Sequence, residues 1–121
     1  MTNDEIRIKI AKLKGWRVYD PKDYNGQLFG TSPEGVFYSA LPDWPGEMSP
    51  AWSLVEEARK AEVGVMIHNS LTILPVPDIW SYTCAFYDPI GGPHHKTYSA
   101  EAETAAMAIC LAWLAWKEGD K

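Results

Sequence analysis

The residues Trp80-Ser81-Tyr82-Thr83-Cys84-Ala85-Phe86-Tyr87 form the clearest strand pattern in the chain. The even positions place Trp80, Tyr82, Cys84 and Phe86 on one face at the two-residue period of a β-strand, and this is the predicted core face. Proline and glycine within residues 88–93 then favour a turn. Residues 94–99 are predicted to pair back as the second strand of a hairpin. The core is therefore expected to include an antiparallel sheet.

Shorter strands are predicted on the N-terminal side of this hairpin. The apolar runs at residues 65–68 and 71–74 predict two strands around turn residues 69–70. Residues 16–19 and 36–38 are further candidates in a region rich in proline and glycine. The runs after residue 64, together with the hairpin, predict a meander of about three strands, so we expect a small sheet of about three to four strands.

Three helices are predicted to pack against the sheet. Thr2 begins a capping box, and Gly15 is a stop signal for the helix that follows. A second helix is predicted to begin at Ser49, the N-cap, with Pro50 at its first position. The third helix contains the apolar residues between 102 and 116, which recur at helical spacing.

The order of these elements defines the predicted fold class, α+β. We expect a small antiparallel sheet of about three to four strands sandwiched by about three helices. Trp52, Val55 and Ala58 are predicted to form the inner face of the second helix. The length of 121 residues fits one domain that spans residues 1–121.

Composition and charge exclude several classes of function. The net charge is −5 and no Lys/Arg cluster is present, so double-stranded nucleic acid is not expected to bind. No apolar run approaches the ~18 residues of a transmembrane helix, so no membrane association is expected. Two cysteines within apolar segments fit a reducing compartment. We therefore expect a cytoplasmic protein.

Histidine and cysteine patterns argue against catalysis and metal binding. His94 and His95 are adjacent, so in a strand their side chains point to opposite faces and do not share one metal. His68 is the only other histidine, and no recognised zinc-ligand spacing is present. Cys84 and Cys110 fall on predicted core faces, where thiols are unreactive. Because the sequence also lacks a phosphate-binding loop and a nucleophile elbow, we expect no enzyme, no catalytic residues, no metal and no cofactor.

Aromatic residues are abundant, with six Trp and six Tyr against three Phe. Those at periodic positions of the predicted strands and helices, such as Trp52 and Trp113, are expected to form the core. The others lie beside proline and glycine, where rigid rings suit a planar ligand or a partner's pocket. With the nearby cations they give the candidate ligand-binding set: Trp44, Tyr98, His94, His95, Lys96, Tyr38 and Arg17.

Three segments resemble one known family. Leu41-Pro42-Asp43-Trp44 leads to the helix Ala51-Trp52-Ser53-Leu54-Val55-Glu56-Glu57, the strand at 80–87 follows, and Thr104-Ala105-Ala106-Met107-Ala108-Ile109-Cys110-Leu111-Ala112 lies in the last helix. In this order they resemble the phage ABA sandwich domain, a family of small bacteriophage proteins mostly without an assigned role. The resemblance implies helices on both faces of a small antiparallel sheet, a phage origin and no catalytic residues. Residues 31–40 have no counterpart in that pattern.

These observations lead to two hypotheses of function. The first is a non-enzymatic bacteriophage accessory protein in the host cytoplasm. It would bind and sequester a host-derived molecule, with a cyclic nucleotide immune signal as the leading ligand. The alternative is a protein–protein interaction module that docks on a host or phage protein through Trp44 and the proline-rich loop. Homo-oligomerisation is compatible with both hypotheses, and the sequence leaves open whether a pocket lies within one chain or between chains.

Overall fold

The computed structural model of this protein describes residues 2–35, 38–72, 79–87 and 97–119. The chain divides into two compact units, Met1–Asp43 and Trp44–Lys121. The α+β class and the three helices predicted from the sequence are confirmed, with one three-stranded antiparallel sheet in each unit. The assignment of residues 1–121 to a single domain stays a prediction. No helix within the described ranges is long and apolar enough to cross a bilayer.

The first unit begins with helix α1, Asn3–Leu13. Its predicted start is confirmed, because the side chain of Thr2 accepts a hydrogen bond from the backbone N–H of Glu5 at 3.2 Å. Its predicted end is also confirmed, because Gly15 adopts the left-handed conformation with φ of 91°. Both ends of this helix are therefore determined by local side-chain and backbone chemistry.

The first unit also contains a small sheet in the order β1-β2-β3, formed by Arg17–Val18, Phe29–Thr31 and Tyr38–Ala40. The strand predicted at residues 16–19 is present as Arg17–Val18. Of the strand predicted at residues 36–38, residues 36–37 lie outside the described residues, and β3 contains Tyr38. Strand β2 between them was not predicted. Gly30 in β2 opposes Val18, and a Cβ at this glycine would lie 2.8 Å from the carbonyl oxygen of Arg17. The close approach of these backbones therefore requires glycine in β2.

The second unit contains a strand meander between two helices. Its elements are α2 (Met48–Lys60), β4 (Gly64–Thr72), β5 (Ile79–Tyr87), β6 (Thr97–Ala102) and α3 (Ala105–Gly119). The sheet order is β4-β5-β6, with both pairs antiparallel. The predicted order of helix, strands and helix is confirmed, as is the antiparallel pairing of β5 with the strand that follows it. The turn predicted at residues 88–93 and the first predicted residues of the return strand, 94–96, lie outside the described residues.

Two predicted boundaries in this unit are wrong. Residues 69–70 do not form a turn, because β4 continues through them and pairs with β5 over all nine of its residues. Continuous pairing with a neighbouring strand outweighs the turn preference of Asn and Ser. Helix α2 begins at Met48 with Glu47 as its N-cap, and this cap makes no side-chain hydrogen bond. Ser49 therefore lies inside the helix.

Both helices of the second unit pack on the same face of its sheet. The register places Phe86 between Val65 and Tyr98 on that face. The ring of Phe86 is fully buried and stacks on Trp116 of α3 at 5.7 Å between centroids. Helix α2 covers the β4 side, and the two helices are joined by the Trp113 indole N–H, which donates to Glu57 Oε2 at 3.1 Å. The predicted aromatic core is thus confirmed at Phe86 and Trp113.

Candidate functional site

The second unit carries a groove between α2 and β4, which we call the α2–β4 groove. Its volume is about 570 Å³. Its floor is mainly aliphatic, and an indole and two charged side chains lie among the lining residues. The lining residues are Trp52, Val55, Arg59, Glu62, Val63, Gly64, Val65 and Ile67.

The connection from α2 to β4 shapes one end of this groove. Helix α2 ends at Lys60, and Glu62 adopts a left-handed conformation with φ of 61°. The N–H of Val63 then donates to the carbonyl of Ala58 at 2.9 Å, which closes the last turn of the helix in a Schellman-type cap. Because the chain reverses so tightly, the last turn of α2 lies beside the first residues of β4.

The start of β4 also requires a small residue. A Cβ at Gly64 would lie 2.6 Å from ring atoms of Tyr87, its partner on β5. The ring of Tyr87 therefore occupies the space that a side chain at position 64 would need. Beyond β4 no further described strand closes the side of the groove, because β4 is an edge strand of the described sheet.

Trp52 stands at the rim of the groove with 43% of its surface exposed. The prediction that it belongs to the inner face of α2 is wrong. The buried stripe of this helix is Ala51, Leu54, Val55 and Ala58, which leaves Trp52 on an adjacent face. The three outward residues Trp52, Glu56 and Arg59 have the spacing i, i+4 and i+7. This spacing is the signal by which sequence reasoning could have found the rim.

A single carboxylate connects the polar groups of this rim. Glu56 Oε1 accepts a hydrogen bond from the Trp52 indole N–H at 3.1 Å and another from Arg59 Nη1 at 3.2 Å. These side chains lie one helical turn apart, so the network holds the indole and the guanidinium on the same side of α2. Arg59 carries one positive charge beside the negative charges of Glu56 and Glu62. The rim therefore has a formal charge of about −1.

The chemistry of the groove fits binding. Its lining contains an exposed indole, a guanidinium and an aliphatic floor, which suit a planar or apolar group with one polar end. Among the described lining residues there is no serine, threonine, cysteine, histidine or lysine. The groove thus presents none of the usual nucleophiles, apart from the carboxylate of Glu62.

The structure does not gather the predicted ligand-binding residues around this groove. Trp44 is only 2% exposed, so its prediction as an accessible loop aromatic is wrong. Removing the apolar surface of this indole from water stabilises the folded state, which is the physical reason for its burial. Tyr98 is half-buried in β6, and a Cβ at Gly119 would lie 2.6 Å from its ring. Tyr98 therefore packs on the end of α3.

The remaining predicted residues lie in the first unit or outside the described ranges. Arg17 is exposed on β1 and is opposite Thr31, which is opposite Tyr38 on β3. Arg17 and Tyr38 therefore occupy one row across the first sheet. The others, His94, His95 and Lys96, lie outside the residues that the structure describes.

Both cysteines are buried, as the sequence predicted. Burial raises the pKa of the Cys84 thiol to about 12. A thiol with this pKa is protonated at neutral pH and is a poor nucleophile. In the described part of the chain, no group of three or more potential ligand side chains is placed to hold a metal ion.

A smaller cavity of about 260 Å³ lies in the first unit between α1 and β2. Arg7 lines it, but the guanidinium donates hydrogen bonds to the carbonyls of Leu41 and Pro42. Asp4 is a further charged neighbour at 4.0 Å. Arg7 therefore ties α1 to the chain at residues 41–42, which is a structural role.

Comparison with known proteins adds no relative: no family model, curated protein or solved structure matches the chain. The resemblance to the phage ABA sandwich domain stays a prediction from the sequence.

Proposed function

We propose that this protein acts by binding a ligand without catalysis, and that the α2–β4 groove is its binding site. The observation that carries the proposal is the exposed indole of Trp52 beside an apolar concavity. The groove volume of about 570 Å³ is within the usual range of roughly 300–1,000 Å³ for small-molecule sites. A few polar groups on an aliphatic floor are also typical of such sites.

The ligand class that fits best is a planar molecule with about one negative charge. A nucleobase would stack on Trp52, and one phosphate would accept hydrogen bonds from Arg59. Glu56 and Glu62 lie beside that guanidinium, so a second or third phosphate would meet repulsion. The groove therefore favours a cyclic nucleotide of low charge over a polyanion.

This ligand class supports the role of a bacteriophage accessory protein in the host cytoplasm that sequesters a cyclic nucleotide immune signal. The phage setting rests on the sequence resemblance, and the step from resemblance to role is an analogy. The binding site itself rests on the α2–β4 groove. Sequestration requires tight binding and no turnover, which agrees with a groove that lacks the usual catalytic groups apart from a carboxylate.

The test is binding of a panel of cyclic mononucleotides and dinucleotides, measured by thermal shift and calorimetry. We expect at least one single-charge member of the panel to stabilise the folded protein, since a ligand that binds only the native state raises its melting temperature. Trp52→Ala should weaken binding about 5- to 150-fold, the equivalent of about 1–3 kcal/mol for loss of one stacking surface.

Lys60→Ala is the matched control, because Lys60 is an exposed cation on the same helix and does not line the groove. It should bind like the wild type, whereas Arg59→Ala should bind more weakly. No stabilisation by any nucleotide would refute the ligand class. Binding that survives both Trp52→Ala and Arg59→Ala would refute the site.

The second candidate function is a protein–protein interaction module. Its support is that Met48, Trp52 and Met66, all in the second unit, are large hydrophobic residues with 43–54% of their surface exposed. The buried Trp44 no longer serves as the anchor of such a surface. The test is whether a host protein binds the wild type stoichiometrically. Loss of that binding in both Trp52→Ala and Met66→Ala would favour this function over nucleotide sequestration.

A further inference from the structure

Strand β4 is an unprotected sheet edge in the described structure. It spans nine residues, Gly64–Thr72, and pairs only with β5 among the described strands. Its sequence contains no proline, lysine, arginine, aspartate or glutamate. These are the residues with which proteins usually block edge-to-edge pairing. The other edge, β6, carries Glu101.

Exposed hydrophobic side chains flank this edge on both faces of the sheet. Trp52 stands on the helix-covered face, where Val65 and Ile67 also point. Met66 points to the opposite face with 54% of its surface exposed. An added strand alternates its side chains between the two faces, so it would cover both groups.

We propose that the edge of β4 pairs with β4 of a second copy of this chain, which forms a symmetric dimer with a continuous six-stranded sheet. Antiparallel pairing of identical strands is related by a two-fold axis perpendicular to the sheet. Pairing over all nine residues places that axis at His68, the middle of β4. Both helical layers then lie on the same side of the joined sheet.

The position of Trp52 agrees with this axis. Trp52 is seven residues before Arg59 in the helix, a distance of about 10 Å along α2. Ile67 is three residues after Gly64, which is also about 10 Å along β4. Since Arg59 and Gly64 both line the same end of the groove, Trp52 lies level with Ile67. Symmetric pairing therefore brings the two exposed indoles close to the axis, at the centre of the interface. Residues near the centre of an interface, tryptophans in particular, usually contribute most of the binding energy.

The charge distribution favours a second copy in this orientation. Glu62 lies at the Gly64 end of β4, together with the pair formed by Glu56 and Arg59. Antiparallel pairing places that end beside Thr72 of the other copy, so Gly64 and its copy lie about 26 Å apart along the strand and the two Glu62 carboxylates stay well separated. The paired strands themselves carry no formal charge, although each chain has a net charge of −5.

The dimer would join the two α2–β4 grooves into halves of one cleft. This consequence rests on the proposed function, because it matters only if the groove binds a ligand. The dimer itself does not depend on a ligand, so its test uses the protein alone. Failure of dimerisation and failure of nucleotide binding are therefore separate results.

The test is the mass of the full chain in solution, measured by sedimentation equilibrium and native mass spectrometry up to about 100 μM, a concentration at which a Kd of about 10 μM gives mostly dimer. We expect twice the monomer mass. His68→Asp should raise the dimer Kd at least about tenfold, because the axis sets the two new carboxylates against each other. Ser99→Asp, on the exposed face of β6, is the matched control and should leave the Kd unchanged.

Hydrogen exchange of the wild type gives a second measurement that needs no variant. Amides of β4 that point away from β5 should become protected as the protein concentration rises, while other amides should not change. A wild type that is monomeric at about 100 μM refutes the proposal. The β4 edge would then be available for an extended segment of another protein. A dimer whose β4 amides stay unprotected, or which responds equally to His68→Asp and Ser99→Asp, also refutes it.

Discussion

Replacing Gly64 with alanine tests whether the ring of Tyr87 fixes the start of β4. The new Cβ would lie 2.6 Å from Cε2 and Cζ of that ring and 3.1 Å from Cδ2. Ordinary carbon–carbon contacts begin at about 3.5 Å, so the half-buried ring has to move by about 1 Å. Overpacking of this kind costs about 1–3 kcal/mol.

The opposing effect of the same substitution is smaller. Alanine lowers the conformational entropy of the unfolded chain, which stabilises a protein by about 0.4–1 kcal/mol when the backbone is compatible. Gly64 is not among the glycines with positive φ, so its backbone accepts alanine. The net expectation for Gly64→Ala is a loss of about 1–2 kcal/mol in the free energy of unfolding.

The decisive measurement is a double-mutant cycle by urea unfolding, monitored by tryptophan fluorescence. In a Tyr87→Ala background the ring is absent, so Gly64→Ala should become neutral or stabilising by up to about 1 kcal/mol. Gly35→Ala is the control, because no atom lies within 4 Å of its added Cβ and only its φ of 73° is strained. Its cost should be the same in both backgrounds. An equal cost of Gly64→Ala in both backgrounds would refute the packing argument.

Three further predictions concern the second unit. Glu62→Gly should raise the free energy of unfolding by up to about 1 kcal/mol, because glycine adopts φ of 61° without the steric cost of a Cβ. Glu62→Ala keeps the Cβ, so it should give no increase in the free energy of unfolding in the same urea titration. Phe86→Ala should lower the free energy of unfolding by about 3–5 kcal/mol, since the substitution removes a fully buried ring that stacks on Trp116. A loss below about 1 kcal/mol would mean that the ring is not in the core. Cys84 and Cys110 should resist an aromatic disulfide reagent at pH 8 until the protein unfolds. Because burial raises the pKa of Cys84 from 9.0 to about 12, the unfolded chain loses this proton first, and the free energy of unfolding should fall as pH rises through that range.

Local chemistry explains which parts of the fold could be predicted. Thr2 and Gly15 act on backbone groups within a few residues, so their roles at the ends of α1 followed from spacing alone. The alternation in β5 predicted a strand with Phe86 on the buried side, because strand periodicity does not depend on the partner.

Pairing and packing partners explain the parts that could not be predicted. Strand β2 is three residues long and has no clear alternation, so only its pairing with two neighbours identifies it. Residues 69–70 resemble a turn, yet pairing with β5 holds them in β4. Strand structure depends on neighbours that are distant in the chain, and the sequence of a short segment does not identify those neighbours.

The candidate site shows the same division in its tryptophans. The sequence assigned Trp52 to the core and Trp44 to the surface, and the structure has the reverse. Helical spacing allows two registers for the apolar face of α2, and the buried stripe of alanine, leucine and valine leaves Trp52 outside. Only packing could show which of the two indoles is exposed, so the predicted exposure of Trp44 and the predicted burial of Trp52 were both wrong.

The sequence by itself determined the α+β class, the order of helices and strands in the second unit, the ends of α1 and the burial of both cysteines. Each of these depends on periodicity or on contacts between residues close in the chain. Only the tertiary structure decided that α2 leaves a groove beside an open strand edge and that Trp52 stands at its rim. Exposure is a property of how elements pack, and packing is decided by contacts between residues far apart in the sequence.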